Sequence, residues 1–202
     1  MSILRMTPEA EATGLIAEIY EDDRRSLGYV PSYTKALSLN PEAYLAAESL
    51  LKAISSPLGP RRYELVTLAA SQAIGSTHCR LAHGEKSLRI FKEEQLQAIA
   101  RDFHNADLSE AEVAMMDYAV RVCTDAAAMT DRDTQRLRDL GFSDREIVDI
   151  TMAAAARNFI SRSVLAMAVD LEVPPGMSEE LKTALLDPIA GRQNEPMKPR
   201  LD

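Results

Sequence analysis

The stretch Pro60-Arg61-Arg62-Tyr63-Glu64-Leu65-Val66-Thr67-Leu68-Ala69-Ala70-Ser71-Gln72-Ala73-Ile74-Gly75-Ser76-Thr77-His78-Cys79-Arg80-Leu81-Ala82-His83 decides the fold. Pro60 suits the first position of a helix, because its fixed φ costs nothing there and its missing N–H is not needed. Gly75 suits the left-handed residue past the end of that helix, and Ser76 suits the cap of the next. The spacing therefore predicts one helix over Pro60 to Ile74 and a second from Ser76 to about Phe91. They join at a tight corner, with reactive side chains on both sides.

The same signals repeat outward. A first helix is expected after Thr7-Pro8, with Leu15, Ile16, Ile19 and Tyr20 as its apolar stripe and Gly28 past its end. A segment around Tyr33 to Leu39 follows. Asn40-Pro41 then reads as cap and first position of a helix to about Ser55, stopped by Ser56-Pro57-Leu58-Gly59-Pro60. Further helices are expected over Lys92 to Asp102, Ser109 to Ala127, Thr130 to Leu140 and Ser143 to Leu171. Ser109 with Glu112, and Ser143 with Glu146, match the reciprocal capping box. Pro174-Pro175-Gly176 ends the last long helix, and Met177 to Leu186 is a short final one. No alternating strand pattern and no internal repeat is found. The fold class is all-α, a single-domain helical bundle over 1–187, with 188–202 as a flexible or oligomer-contacting tail.

A chain of 202 residues, 46% apolar and 27% charged, can bury a core without a disulfide or metal staple. Its 23 Lys and Arg against 31 Asp and Glu give a net charge of −8. That disfavours nucleic acid and anionic membranes as partners, since both want a basic face. The most apolar stretch, Thr151 to Val173, is interrupted by Arg157, Asn158, Arg162 and Asp170, which a membrane span would not tolerate. The N-terminus lacks a secretory apolar core. Cys79 and Cys123, the two cysteines, fit a reducing compartment. A cytoplasmic protein is expected.

Reactive groups concentrate at one place. Two of the three histidines, His78 and His83, lie within five positions of Cys79. Cys79 and His83 are four apart and share a helix face. With Ser76 as cap, Cys79 stands in the first turn, where the helix dipole and free backbone N–H groups favour an anion. A nearby imidazole adds to this, so the site is a local recipe for a nucleophilic thiolate. Glu64, on the preceding helix, would face Cys79 and His83 if the helices fold back at Gly75, as a partly buried proton acceptor. The plainer readings stand beside these. Cys79 could be a small buried apolar residue, and Glu64 a helix-surface partner of Arg61 or Arg62. Cys123 shares a helix with Met116, Ala119 and Val120 at helical spacing and reads as a packed core residue.

These residues resemble the signature of the carboxymuconolactone decarboxylase family, in its alkylhydroperoxidase D-like branch. That signature is a Glu, a C-x-x-C beginning twelve positions later, and a His four beyond the second Cys. Here Glu64 is followed by Ser76, Cys79 and His83 at those spacings. The lead-in Arg61-Arg62-Tyr63-Glu64-Leu65-Val66 and Ala82-His83-Gly84 also match. Gly28-Tyr29-Val30-Pro31 with Asn40-Pro41, and the stretch Leu108 to Leu171, resemble a peroxidase-related subgroup. The resemblance implies an all-helical subunit assembling into a homo-oligomer, trimer or hexamer. It implies thiol-dependent reduction of a small-molecule hydroperoxide without metal or organic cofactor. By position Cys79 is the attacking thiol, and Glu64, His78 and His83 match the proton relay.

Ser76 stands where the resolving Cys would be, so no disulfide can form within the motif. Three routes stay open: an external thiol reductant acting on the Cys79 sulfenic acid, resolution by Cys123, or chemistry other than peroxide reduction. Ser76 keeps a hydroxyl for capping or for a bound oxygen. A decarboxylase or lactone-type reaction would use Glu64, His78 and His83 as acid–base groups without the thiol. Zinc is a weaker reading, because adjacent His78 and Cys79 point about 100° apart on a helix. A non-enzymatic helical oligomer is the remaining alternative.

Overall fold

Caps and burial, rather than intrinsic propensity alone, set where the helices begin and end. In the computed structural model, which describes residues 3–193, the elements are α1 (Gly14–Leu27), α2 (Ser32–Leu37), α3 (Pro41–Leu58), α4 (Pro60–Ile74), α5 (Thr77–Ser87), α6 (Glu93–Asp102), α7 (Glu110–Thr124), α8 (Asp131–Asp139), α9 (Asp144–Ala166) and α10 (Glu179–Gln193). No strand occurs among the described residues. Both expected capping boxes form, at Ser109–Glu112 and Ser143–Glu146. Gly28 and Gly75 take the left-handed conformation at the ends of α1 and α4. No helix among the described residues is long and apolar enough to cross a membrane.

The core is organised around α4. Tyr63 to Ser71 are all buried, so this stretch of the helix is enclosed on every side although it carries Glu64, Thr67 and Ser71. It packs against α5, α7 and α9, while α10 lies on α5 and α6. Arg80 ties this arrangement together. It is 1% exposed and donates to the backbone carbonyls of Leu185, Leu68 and Ala100 at 3.0, 3.4 and 2.6 Å. One α5 side chain thus satisfies carbonyls on α10, α4 and α6. Close by, α5 and α10 touch at Gly84, where an added Cβ would lie 2.4 Å from the Leu185 Cδ1. Both contacts fix the depth and rotation of α5, which carries Cys79 and His83.

Several boundaries differ from expectation for local reasons. The expected first helix divides into a short 3₁₀ turn at Glu9–Glu11 and α1, because Ala12 and Thr13 between them are extended. α3 continues through Pro57 to Leu58 instead of stopping at Ser55, drawn on by burial of Ile54 and Leu58. α5 ends at Ser87 rather than Phe91. α9 ends at Ala166 rather than Leu171, since Ala168 turns left-handed at φ +48. The final helix runs to Gln193 through Pro188, so 188–193 are helical and not tail. The rest of the expected tail, 194–202, lies outside the described residues.

Candidate active site

The corner at Gly75 brings α5 back against α4, as the sequence predicts. Ser76 caps α5: its Oγ accepts from the Cys79 backbone N–H at 3.4 Å. Glu64 and His83, on the two helices, meet at 2.7 Å between Oε2 and Nδ1 and are 7% and 5% exposed. Burial pushes the His83 pKa down to about 4, against the pull of Glu64. The imidazole is therefore neutral near pH 7, with Nδ1–H donating to the carboxylate. Burial raises Glu64, but the contact with His83 and the charges of Lys86 and Arg157 outweigh it and hold the carboxyl below its usual range. The second ring nitrogen, Nε2, has no hydrogen-bond partner among the described residues.

The thiol meets different groups from those expected. Cys79 is buried, and its Sγ accepts from the Ser161 hydroxyl at 3.2 Å and from Arg157 Nη1 at 3.6 Å. Both come from α9. Arg157 also donates from Nη2 to the Tyr63 hydroxyl at 3.5 Å. Burial lowers the Arg157 pKa, but the facing Cys79 and Tyr63 outweigh it, and the net shift is upward. The sequence placed the His83 imidazole against the sulfur. In the structure that imidazole turns to Glu64, and because it is neutral, the positive charge beside Cys79 is the Arg157 guanidinium.

His78 is oriented away from this dyad. Its Nε2 donates to the Asp170 backbone carbonyl at 3.1 Å, and its Nδ1 is buried without a partner. Ser32 donates to the same carbonyl through Oγ and to the Glu172 carboxylate through its backbone N–H. His78 thereby pins the segment after α9 across the first turn of α5. Cys123 lies elsewhere, half-buried on α7. Its Sγ donates to the Ala154 carbonyl at 3.7 Å, and burial pushes the thiol pKa up to about 11.

A cavity of about 420 Å³ opens onto Tyr63, Glu64, His78, Cys79, His83 and Arg157. Among the described residues no group of three or more His, Cys, Asp or Glu is placed to hold a metal ion. The arrangement offers a sulfur beside a resident cation and a hydroxyl, and a buried neutral imidazole backed by a carboxylate. Arg157 and Ser161 were absent from the sequence-derived site. Their signal was a charged residue four positions from a serine on the core-facing side of an apolar helix, alongside Ile150, Ala153, Ala154 and Val164.

No protein-family model matches the sequence, and no curated protein matches it either. Solved structures do. An uncharacterized peroxidase-related protein from Ralstonia eutropha, an alkylhydroperoxidase AhpD core, superposes with a TM-score of 0.76 at 23% identity, over 91% of this chain and 96% of that one. The fold is that of the AhpD core. A peroxidase-related protein from Silicibacter sp. shares the AhpD-like fold at a TM-score of 0.74 and 24% identity, over 84% and 91% of the two chains. So does a debrominase in complex with 2,3,4-tribromopyrrole, at 0.73 and 20% identity, over 94% of this chain and 100% of the other.

Proposed function

We propose that this AhpD-fold protein is a thiol-dependent hydroperoxide reductase that works with one cysteine. The observation that supports it is the Cys79 sulfur, held between the Arg157 guanidinium and the Ser161 hydroxyl at the wall of a cavity it shares with Glu64 and His83. In this reading His83 Nε2 takes the thiol proton, and the resulting imidazolium is stabilised by Glu64. The thiolate attacks the terminal peroxide oxygen. The S–O bond forms, the O–O bond breaks, and the alkoxide leaves and takes the proton from His83. Arg157 holds the anion at both ends of the step.

The products are Cys79 sulfenic acid and an alcohol. Ser76 has no thiol to resolve the sulfenic acid. One external thiol then gives a mixed disulfide and water, and a second returns Cys79 as a thiol with release of a disulfide. The assay is hydroperoxide consumption in the presence of an external thiol. The wild type turns over and Cys79→Ser does not. An acid–base reaction without the thiol would survive Cys79→Ser, and that result would replace this reading.

A second reading has its own support. The cavity is far larger than a small peroxide needs and carries Tyr33, Tyr44, Leu37, Leu51 and Ile160 beyond the sulfur, a surface suited to a flat apolar ring. The same thiolate attacking the halogen of a bromoarene would form a sulfenyl bromide, with the ring carbon taking the His83 proton. External thiol would then release bromide. Bromide release from a bromopyrrole in a Cys79-dependent manner tests it.

A further inference from the structure

Whatever returns Cys79 to the thiol must reach it through the cavity. Ser76 supplies no sulfur. Cys123 does not line the cavity, and its contact with Ala154 lies about two helical turns along α9 from the Ser161 that meets Cys79. Cys79 itself is 5% exposed, so a thiol fixed on a protein surface has no direct approach. The route has the dimensions of a small-molecule site.

That route is lined by three cations, Lys52 on α3, Lys86 on α5 and Arg89 just after it. Lys52 and Arg89 are exposed and Lys86 is half-buried. None of the three side chains makes a hydrogen bond or ion pair among the described residues, whereas Arg61 and Arg62 pair with Glu112 and Glu146. The facing carboxylates are Asp23 and Glu48 on the same wall and Glu85 beside Lys86 and Arg89. Burial raises the Asp23 pKa, which weakens its opposing charge. The cavity wall therefore carries four cations (Lys52, Lys86, Arg89, Arg157) and three carboxylates (Asp23, Glu48, Glu64). The whole chain has the opposite balance, 23 against 31.

We propose that the reductant is a small anionic thiol, its carboxylates docking on Lys52, Lys86 and Arg89 while its sulfur reaches Cys79. The proposal rests on Cys79 being an accessible nucleophile and adds the charge class of its co-substrate. The first thiol condenses with the sulfenic acid to a mixed disulfide and releases water. The second attacks that disulfide, freeing Cys79 and leaving as the oxidised dimer.

The test avoids peroxide. Full-length Cys123→Ser protein is loaded at Cys79 as a mixed disulfide with thionitrobenzoate, and release of the coloured thiol is timed. The attacking thiols are mercaptosuccinate, mercaptopropionate, mercaptoethanol and cysteamine, each rate divided by its rate on a free thionitrobenzoate disulfide. The normalised rate should rise about tenfold from mercaptoethanol to mercaptosuccinate, with cysteamine slowest. About 0.5 M salt should compress the series, and Lys52→Gln/Lys86→Gln/Arg89→Gln should flatten it. A flat series in the wild type, or one led by cysteamine, overturns the proposal alone. Failure to load Cys79 overturns it together with the reading beneath it.

Discussion

A buried guanidinium without a carboxylate in hydrogen-bonding reach is costly, and Arg157 is 4% exposed, with the Cys79 sulfur and the Tyr63 hydroxyl as its side-chain partners. Its Nε is buried and unpartnered. An anionic sulfur beside the guanidinium would offset that cost. A charge-assisted hydrogen bond contributes roughly 1.5–3 kcal/mol, which converts to about a tenfold to hundredfold effect on the rate at which the sulfur reacts. Arg157→Met should slow alkylation of Cys79 by iodoacetamide near neutral pH by about that factor, while Arg157→Lys recovers part of it. Unchanged labelling in folded Arg157→Met protein would remove Arg157 from the account. Neither Arg157 nor Ser161 was assigned to the site from sequence. They lie 78 and 82 positions from Cys79, and local spacing does not report which distant helix faces a given turn. Cys79, His83 and Glu64 were legible because two of them share one helix face and the third sits across one tight corner.

At the scale of elements, α5 depends on Ser76 and Gly75. The left-handed Gly75 closes α4, and Ser76 opens α5 at once, so the Cys79 backbone N–H is satisfied by a side chain rather than left bare. The same geometry predicts what a sulfur at this position would do. Ser76→Cys should form a disulfide with Cys79 on hydroperoxide treatment, read as a loss of two hydrogens in the intact mass, at a cost of about 1 kcal/mol for the lost cap. Persistence of two free thiols alongside oxidised Cys79 would show that the pair is misaligned. Capped starts of this kind were legible, as at Ser109 and Ser143, because one side chain and one backbone group decide them. The ends were less so. α3 runs through Pro57 although the proline forfeits the backbone bond to Ala53, because Leu58 gains burial, and α9 stops early since the segment after it turns back to meet His78 and Ser32.

For the molecule as a whole, the buried Glu64–His83 pair links stability to pH. The His83 pKa falls from 6.5 to about 4 on folding. Between those values the unfolded chain binds a proton that the folded chain refuses, so stability falls as pH drops through that window. Glu64, also shifted down, adds to the loss at the acid end. The His83 share is on the order of 3 kcal/mol. Unfolding by urea at pH 7 and at pH 4.5 should show a smaller difference for His83→Gln than for the wild type, and equal differences would contradict the assigned neutral imidazole. The all-helical class was legible in the chain as a whole, from good helix formers, repeated caps and missing strand patterns. The order of packing around α4 was not, because it follows from contacts such as Arg80 to three carbonyls that no single segment encodes.

The central claim, that one sulfur carries the chemistry, is tested most directly by trapping its oxidised form. Wild-type protein treated with one equivalent of an organic hydroperoxide and a dimedone-type sulfenic acid trap, then measured by intact and peptide mass, should carry one adduct, on Cys79. It should form faster than on free cysteine, be retained in Cys123→Ser and disappear in Cys79→Ser. An unmodified Cys79, or an adduct forming no faster than on the free amino acid, would contradict the account.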